Sequence, residues 1–421
     1  MRIAIVGAGI SGLVAAHRLH PEHDITLYEA NDYLGGHTNT VRVDLAHETH
    51  WVDTGFIVLN DRNYPNFQPL LAELGVSTQP SRMSFSVSDG QGDFEYAGTP
   101  RGLFAKPSHA VDPRFLGMIR DLVRFNREAR ALLDRREGEG PSLRRFLRDG
   151  GYGDWFINRL IVPQAAAVWS AQPEQLWSFP VAFLARFFHN HGMLGFRGRP
   201  RWRTVTGGSH RYVEKIVRPF ADRIRIRTPV RAVTRHDDSV EVAADGCEPE
   251  RFDEVVIAAH SDQALAMLTD PSDRERAVLG AVAYQTNEAV LHTDESLLPR
   301  RRSAWASWNY HYSDPAGPRT TLTYWMNALQ AIRSETNLCV TLNRTEAIAA
   351  DKVIRTIRYS HPVFSPAAVA AQQRHGEISG VRRTHFCGAY WGWGFHEDGV
   401  VSALAALRGI GSSAATPARI R

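Results

Sequence analysis

Residues 1–30, MRIAIVGAGISGLVAAHRLHPEHDITLYEA, decide the fold. Their pattern predicts, in order, a buried strand over 3–6, a helix over about 10–19 and a second strand over 25–28. The turn between the first strand and the helix is glycine-rich. Gly7 permits the tight turn, Gly9 lets a phosphate group approach the backbone, and Gly12 lets the helix pack closely on the strand.

The N-terminus of this helix predicts an anion site. Free N–H groups around Ala8 and Ser11, together with the positive end of the helix dipole, favour phosphates. Glu29 stands 22 positions after Gly7, at the end of the second strand, where its carboxylate can accept both hydroxyls of an adenosine ribose. The stretch therefore predicts a dinucleotide site that extends to Ala30, and it leaves NAD and FAD open.

A second glycine pair, Gly35 and Gly36 in NDYLGGHTNT, brings more backbone to the same diphosphate. With this extension the chain resembles the flavin-containing amine oxidoreductase superfamily, which includes amine oxidases, protoporphyrinogen oxidase and phytoene desaturases. The resemblance implies FAD as the cofactor. Relatives usually have GGR at this point, whereas His37 takes the arginine's place here.

The resemblance extends to three later segments, and it implies contacts with FAD in each. WVDTGF would lie beside the isoalloxazine ring, RTPVRAVTRHDD near the adenine, and FDEVVIAAH along the dinucleotide. The residues implied in these segments are Thr54, Gly55, Phe56, Val230 and Ala258.

The stretch FCGAYWGWGFHEDGVVSALAALRG, residues 386–409, predicts a strand, an aromatic loop and a final helix. In the superfamily such a helix points its N-terminus at the flavin diphosphate. The residues implied as FAD contacts are Gly388, Phe395, Glu397, Asp398, Gly399 and Val400. An aromatic core plug is the alternative interpretation of the loop, and capping or core roles are the alternatives for His396 and Glu397.

These motifs predict an α/β fold with a Rossmann-like FAD-binding domain and an amine-oxidase-like substrate domain of mixed sheet and helices. Because the motifs are scattered, the FAD-binding domain is expected to be discontinuous. The predicted boundaries are 1–75, 201–272 and 380–421 for the FAD-binding domain, and 76–200 and 273–379 for the substrate or cap domain.

Longer segments, such as RPRWRTVTGGSHRYVEKI and HFCGAYWGWGFHEDG, resemble bacterial stand-alone FAD proteins and the N-terminal oxidoreductase-like region of plant cyclopropane-fatty-acid synthases. This resemblance implies a lipid acyl substrate and an acyl-chain methyltransferase as a partner. The expected reaction is desaturation, or a related oxidation, of an unsaturated or methylated fatty acyl phospholipid by hydride transfer to flavin N5.

Candidate bases for this reaction are His396, Tyr324, His189 and His191. Asn309 and Asn327 are candidates for orienting a headgroup or the flavin edge. An acyl substrate also predicts an apolar tunnel, and we expect it to be lined partly by Phe183, Phe187, Phe188, Trp325 and Met326.

Two other functions stay open. A flavin amine or amino-acid oxidase would need an aromatic cage or a carboxylate-binding arginine, and Trp391 and Trp393 are candidates for such a cage. The second is a non-catalytic FAD-binding partner of an acyl-chain methyltransferase.

Composition limits the remaining classes of function. Only three of the 49 basic residues are lysines, so 46 are arginines, which suit anionic partners. Residues 112–136 predict either a cap-domain helix with a solvated face or an arginine-rich helix on anionic lipid. The three cysteines lack metal-ligand spacing, and the scattered arginines do not indicate nucleic-acid binding. We expect no metal site, no signal peptide, and a cytoplasmic location with peripheral association at the inner face of the membrane. The sequence does not indicate an oligomeric state.

Overall fold

The protein is described by a computed structural model, in which residues 1–134, 140–169, 173–195, 198–312 and 319–410 are placed. The end of the predicted helix over 112–136 and the predicted domain boundary at 421 lie outside these ranges.

The described ranges contain strands numbered here in chain order. They are β1 (Arg2–Val6), β2 (Asp24–Tyr28), β3 (Thr40–Asp44), β4 (Thr49–Asp53), β5 (Leu59–Asn60), β6 (Thr78–Pro80), β7 (Phe85–Ser88), β8 (Glu95–Ala97), β9 (Trp202–Val205), β10 (Ile224–Arg225), β11 (Val230–Arg235), β12 (Val240–Ala244), β13 (Glu250–Phe252), β14 (Glu254–Ile257), β15 (Ala283–His292), β16 (Trp308–His311), β17 (Leu322–Trp325), β18 (Cys339–Leu342), β19 (Val353–Val363) and β20 (Thr384–Phe386).

The α-helices are numbered in the same way. They are α1 (Ile10–Leu19), α2 (Phe67–Glu73), α3 (Pro113–Arg130), α4 (Leu143–Asp149), α5 (Asp154–Phe156), α6 (Val162–Trp169), α7 (Pro173–Leu176), α8 (Val181–Asn190), α9 (His210–Val217), α10 (Ser261–Met267), α11 (Asp273–Leu279), α12 (Met326–Leu329), α13 (Pro366–Gln372) and α14 (His396–Leu407). One π turn, Ile157–Ile161, joins α5 to α6.

A parallel five-stranded sheet in the order β10-β2-β1-β14-β20 forms the first half of the fold. Its central strand is apolar from Ile3 to Val6 because both faces of the sheet are covered. Helices α1, α9 and α14 contribute to the hydrophobic core on one face, and β11–β13 with α10 and α11 contribute to the core on the other.

A mixed seven-stranded sheet in the order β19-β15-β18-β17-β16-β7-β8 forms the second half. Its longest pairing is the antiparallel one between β15 and β19. Helices α3 to α8 share a large aromatic core with residues of β7, β16 and β17. The largest side chains of this core include Phe115, Phe125, Phe156 and Phe183.

The two large sheets draw on different parts of the chain. The strands of the parallel sheet come from 1–75, 201–272 and 380–421, and those of the seven-stranded sheet come from 76–200 and 273–379. The fold class agrees with the one predicted from the sequence. The division into two domains at these boundaries stays a prediction.

Among the helices of the described ranges, none combines the length and hydropathy that crossing a membrane requires.

Candidate active site

One cavity of about 1370 Å³ is bordered by residues from both halves of the fold. We call its polar, glycine-rich side the dinucleotide wall; its members include Gly7, Gly9, Glu29, Gly36, Val230 and Ala258. We call the part of the cavity that is lined by hydrophobic side chains the apolar wall; its members include Leu103, Ile119, Leu122, Leu160, Val168, Phe187, Met193, Trp308 and Phe364. The cavity thus joins two kinds of surface.

Three glycines of the first turn are needed for three different reasons. Gly7 has a φ of +100° and lies against the backbone of Ala258, and a Cβ on Gly12 would stand 1.8 Å from the Gly7 carbonyl oxygen. Gly9 has an ordinary extended backbone, and a Cβ there would meet no protein atom within 4 Å. Neither backbone conformation nor protein packing demands glycine at position 9, so the open space beside it fits a ligand.

Glu29 closes the end of β2 on the dinucleotide wall. One carboxylate oxygen accepts the backbone N–H of Ala8 at 2.8 Å. The other accepts the backbone N–H of Asn31 at 2.8 Å and its side-chain amide at 2.7 Å. The carboxylate is therefore held beside the glycine turn, and Ala30 and Val230 border the cavity next to it.

The N-termini of α1 and α14 meet beside the dinucleotide wall. The Ser11 hydroxyl donates to the Gly399 carbonyl oxygen at 3.0 Å, and a Cβ on Gly399 would stand 2.6 Å from the Ile10 side chain. Gly9, Ile10 and Ser11 border the cavity from α1, and Phe395 and His396 border it from α14. Backbone from both ends of the chain therefore faces one space.

Not every residue predicted to bind the cofactor borders the cavity. Ala8, Gly12, Thr54, Glu397, Asp398, Gly399 and Val400 do not, although they lie next to residues that do. Gly12 and Gly399 instead allow close packing of α1. The Thr54 hydroxyl is buried between the Asn39 carbonyl oxygen and the Tyr359 hydroxyl, at 2.8 and 2.7 Å.

Glu397 caps a helix in this structure. Its carboxylate is fully buried and accepts the backbone N–H and side-chain amide of Asn66 and the backbone N–H of Phe67, at the start of α2. Asp398 accepts the backbone N–H of Phe395 at 2.8 Å and so caps its own helix. The side-chain oxygens of both residues thus satisfy helix N-termini, which agrees with the capping alternative for Glu397. Cofactor contact at these two positions stays a prediction.

His396 lies in a buried network at the edge of the cavity. Its Nε2 is 2.7 Å from the Tyr212 hydroxyl and 3.2 Å from the Thr38 hydroxyl, and its ring stacks on Phe56 at 3.7 Å. Burial lowers the pKa of His396 to about 3. The ring is therefore neutral and hydrogen-bonded, which makes it a positioning group for Phe56 and α14 more than a base.

His37 stands in a cluster of rings on the dinucleotide wall. It stacks on Tyr359 at 5.0 Å and lies 5.3 Å from His361 and 6.3 Å from His260. Burial holds the pKa of His37 well below its usual range, with His361 and His260 adding to the effect. Among the described residues no hydrogen bond engages the His37 ring, so its nitrogens are available to a ligand in the cavity.

Asp53 joins the segments that carry Gly55 and Phe56 to the rest of the fold. Its carboxylate accepts the Thr40 hydroxyl at 2.5 Å, the backbone and hydroxyl of Ser209 at 2.9 Å each, and the Gln330 amide at 2.8 Å. Burial raises the pKa of Asp53 to about 7, and the hydrogen bonds from Thr40 and Ser209 act in the opposite direction. Asp53 lies within the WVDTGF motif, but the motif alone did not indicate this bridging role.

The predicted catalytic bases differ in whether they border the cavity. Tyr324, on β17, and His191, at the end of α8, border the cavity. The Trp308 and Tyr324 rings meet edge to face at 5.0 Å. The structure does not support His189 as a base, because this residue lies exposed in the last turn of α8 and does not border the cavity.

The predicted tunnel lining was mostly wrong. Phe187 borders the cavity, whereas Phe183, Phe188 and Met326 are buried in the hydrophobic core. The Trp325 indole donates to the Asn337 side chain at 2.7 Å instead of facing the cavity. The sequence shows that these side chains are apolar, but it does not show which of them point at the core.

Both predicted polar side chains are structural. The side-chain amide of Asn309 bonds to Ala306 and Thr323, and that of Asn327 bonds to Thr336 and Leu338. Of the two cage candidates, Trp393 borders the cavity and Trp391 does not; the Trp391 ring lies 4.5 Å from that of His375.

Several cavity residues were absent from the sequence-based predictions. His361 and Tyr359 come from β19, Tyr284 from β15, and Asn126 and Gln164 from helices. The alternation of RYSHPV was the available signal, since Tyr359 and His361 stand two positions apart on one strand face. Asn126 and Gln164 carried no signal, because isolated amides in helices are common on protein surfaces.

The dinucleotide wall fits FAD on structural grounds. Gly9 leaves a space that a Cβ would fill, the N-terminus of α1 has no side-chain cap, and Glu29 is held at the end of β2. The cavity exceeds the volume of about 1,000 Å³ that bounds common small-molecule sites, as a site for a dinucleotide and a substrate must.

Comparison with solved structures gives the same fold. Cyclohexylamine oxidase from Brevibacterium oxydans IH-35A has a TM-score of 0.71 at 15% identity, covering 97% of this chain and 98% of the other. A fatty acid isomerase that produces CLA, from P. acnes, has a TM-score of 0.66 at 16% identity, with 97% and 98% covered.

Two sequence similarities differ in extent: one covers a short segment, and the other covers nearly the whole chain. A 4,4'-diapophytoene desaturase (4,4'-diaponeurosporene-forming) of Staphylococcus aureus (strain Newman) is 42% identical over 45 residues, which is 10% of this chain and only 9% of that protein. The model of the family described as flavin containing amine oxidoreductase matches residues 10–408. The chain therefore belongs to the flavin-containing amine oxidoreductase family, and its dinucleotide is FAD.

Proposed function

We propose that this FAD-dependent oxidoreductase acts on a lipid acyl chain, from which it removes two hydrogens to leave a carbon–carbon double bond. The observation that carries the proposal is the direct continuity of the dinucleotide wall with a large apolar wall in one cavity. FAD, when bound at the dinucleotide wall, supplies the two-electron acceptor for this chemistry. The second hydrogen leaves as a proton.

The chemistry of the apolar wall favours an acyl chain over an amine. Among the described residues that border the cavity, the only carboxylate is that of Glu29, on the dinucleotide wall. Both Glu29 oxygens already accept hydrogen bonds from Ala8 and Asn31. A cationic amine could therefore make cation–π contacts with aromatic rings such as Trp393, but the apolar wall offers it no carboxylate among the described residues.

An apolar wall of this extent also offsets a specific cost. Each methylene moved from an apolar medium into water costs about 0.8 kcal/mol, so about ten methylenes oppose extraction from a bilayer by about 8 kcal/mol. Side chains such as Leu103, Ile119 and Leu160 supply a surface on which that cost is recovered.

Two side-chain amides suit the polar end of such a substrate. Asn126 on α3 and Gln164 on α6 border the cavity, and neither amide has a hydrogen-bond partner among the described residues. An amide can donate to an ester carbonyl or to a carboxylate. We infer that Asn126 and Gln164 orient the polar part of the lipid.

His191 is the base that the geometry favours. Its Nδ1 lies 2.9 Å from the Phe187 carbonyl oxygen, which only accepts hydrogen bonds, so Nδ1 carries the proton. The basic lone pair is then on Nε2. The ring is held by stacking on Phe187 at 3.9 Å, and Trp393 and Phe395 lie within about 6 Å. Tyr324 is the second candidate on the cavity wall.

Two of the similar proteins are consistent with this proposal. The short similarity is to a diapophytoene desaturase, and one protein of the same fold is a fatty acid isomerase. The amine-oxidase alternative has the fold of cyclohexylamine oxidase in its favour and Trp393 on the cavity wall.

The test is anaerobic reduction of the bound FAD by defined lipids. Phospholipids with a methylated, monounsaturated acyl chain are expected to bleach the flavin absorbance and to lose two hydrogens by mass spectrometry. The matched control is the same phospholipid with saturated straight chains. Bleaching by a panel of amines, with peroxide release in air and none with lipids, would favour the amine oxidase. Bound FAD that neither class reduces would favour a non-catalytic partner of a methyltransferase.

A further inference from the structure

Exposed apolar side chains are concentrated beside one part of the cavity. Of the nine large exposed hydrophobic residues in the described part of the chain, four fall within residues 104–123; they are Phe104, Val111, Leu116 and Val123. The other five are spread over the remainder of the described ranges. The clustered four belong to α3 and the segment that leads into it.

Helix α3 has three distinct faces. One face is buried in the aromatic core through Phe115, Met118 and Phe125. A second face borders the cavity through Ile119, Leu122 and Asn126. The third is an outer stripe at spacings of four, three and four residues, which consists of Leu116, Arg120, Val123 and Arg127. We call this stripe the α3 ridge.

The α3 ridge alternates apolar and cationic side chains. Leu116 and Val123 are 45% and 55% exposed, and the side chains of Arg120 and Arg127 are 81% and 80% exposed. Each arginine is 3.8 to 3.9 Å from the acid next to it in sequence, and because both arginine side chains are largely in solvent, such pairs contribute little. The whole helix carries five arginines against two acids, and one of these acids, Asp121, is buried.

We propose that the α3 ridge docks the protein on an anionic lipid bilayer, so that the acyl chain enters the cavity past the adjacent face of the same helix. The inference rests on the proposed lipid substrate. Arginines would bind the lipid phosphates while Leu116 and Val123 enter the headgroup–acyl boundary. Because Ile119 is three residues from Leu116 and Leu122 is next to Val123, the cavity face of α3 adjoins the ridge, which gives a chain that leaves the bilayer there a short path to the cavity.

Charge complementarity selects this occupant over a second copy of the chain. An isologous contact would place Arg120 and Arg127 of two copies close together, with only weakly exposed acids to compensate. An anionic surface instead meets every arginine of the ridge with opposite charge. Single apolar residues between arginines also suit an interface where the charged ends of long side chains stay in water.

The experiment is co-sedimentation of the FAD-loaded, full-length protein with vesicles, with flavin absorbance as the readout. Vesicles of phosphatidylcholine alone are compared with vesicles that contain phosphatidylglycerol. We expect binding only to the anionic vesicles, and weaker binding at high salt because the arginine–phosphate term is screened. Leu116→Asn/Val123→Asn and Arg120→Glu/Arg127→Glu should each lower vesicle binding by about tenfold or more.

The matched controls change equivalent residues elsewhere. Ile354→Asn/Val381→Asn alters two other exposed apolar residues, and Arg274→Glu/Arg276→Glu reverses two exposed arginines on α11. Both controls should bind vesicles as the wild type does. Retained FAD absorbance shows that a variant is folded. Unchanged vesicle binding by both α3 variants would overturn the proposal, and so would a wild-type dimer that these substitutions convert to monomers.

Failure of the docking proposal and failure of the proposed function give different results. If the wild-type protein oxidises acyl lipid in detergent micelles but does not bind anionic vesicles, the docking proposal alone is refuted. Wild-type protein that binds anionic vesicles through the α3 ridge but whose flavin no acyl lipid reduces would refute the proposed reaction and leave the docking surface in place.

Discussion

The two walls of the cavity are built from different material. The dinucleotide wall is mostly backbone: it consists of turns with glycines such as Gly7 and Gly36 and of the N-termini of α1 and α14. The apolar wall is mostly side chain, supplied by helices and strands of the other half of the fold. Adding a single Cβ can therefore abolish binding at the first wall, whereas the second wall responds to volume and shape.

Gly9→Val is expected to have the largest effect. Because a Cβ at this position meets no protein atom within 4 Å, the apoprotein should fold normally, while the branched side chain occupies cofactor space. We expect FAD affinity to fall by at least about 100-fold, which corresponds to about 2.7 kcal/mol. Isothermal titration of the apoprotein with FAD measures it.

Gly12→Val is the control for Gly9→Val, because here the Cβ would stand 1.8 Å from the Gly7 carbonyl oxygen. This variant should lose thermal stability in the absence of FAD. If Gly9→Val destabilised the apoprotein as much as Gly12→Val does, position 9 would be a packing position and the ligand-based explanation would fail.

Ile119→Trp tests the apolar wall through volume. The larger side chain projects into the cavity from α3, so it should shorten the acyl chain that fits. Under the proposed function we expect kcat/KM for an eighteen-carbon chain to fall by roughly 10- to 50-fold, or about 1.4–2.3 kcal/mol. A chain of about eight carbons is the internal control and should be little affected. Equal losses for both chain lengths would show that Ile119 does not border the acyl site.

Glu397→Gln tests whether this residue caps α2 or binds the cofactor. The amide replaces one acceptor oxygen with a donor that faces N–H groups of Asn66 and Phe67. We expect the free energy of unfolding to fall by about 1–2 kcal/mol, measured by urea denaturation. FAD affinity should be unchanged, since Glu397 does not border the cavity. A loss of FAD affinity without a loss of stability would instead support the cofactor role.

The same contrast explains what the sequence can predict. The dinucleotide wall follows from local spacing, because Gly7, Gly9, Gly12 and Glu29 lie within one strand–helix–strand unit. Capping was one alternative for Glu397, but the helix that it caps could not be foreseen, since its partner Asn66 is 331 positions away in the chain. The apolar wall was equally hidden, because the side of an amphipathic helix that meets a cavity depends on its neighbours. Ile119 and Leu122 were placed only by the packing of α3.

The histidines of the dinucleotide wall predict a smaller, pH-dependent effect. Burial lowers the pKa of His37 and His260, and it lowers that of His361 to about 4, so in the absence of ligand all three are neutral at pH 7. The diphosphate of FAD carries negative charge, which raises the pKa of an imidazole near it. Binding of FAD then takes up protons, and the affinity must be higher at lower pH.

We therefore expect the FAD dissociation constant to be about 3- to 10-fold larger at pH 8 than at pH 6, measured by quenching of flavin fluorescence in titrations of the apoprotein. His37→Asn should flatten this dependence, because the residue stands where relatives carry a permanently charged arginine and contacts both other histidines. His210→Asn is the control, since His210 stacks on Trp51 and does not border the cavity. An affinity that is equal at both pH values would mean that none of the three rings gains a proton beside the diphosphate. The amides of the glycine turn and helix N-termini would then hold FAD without help from side-chain charge.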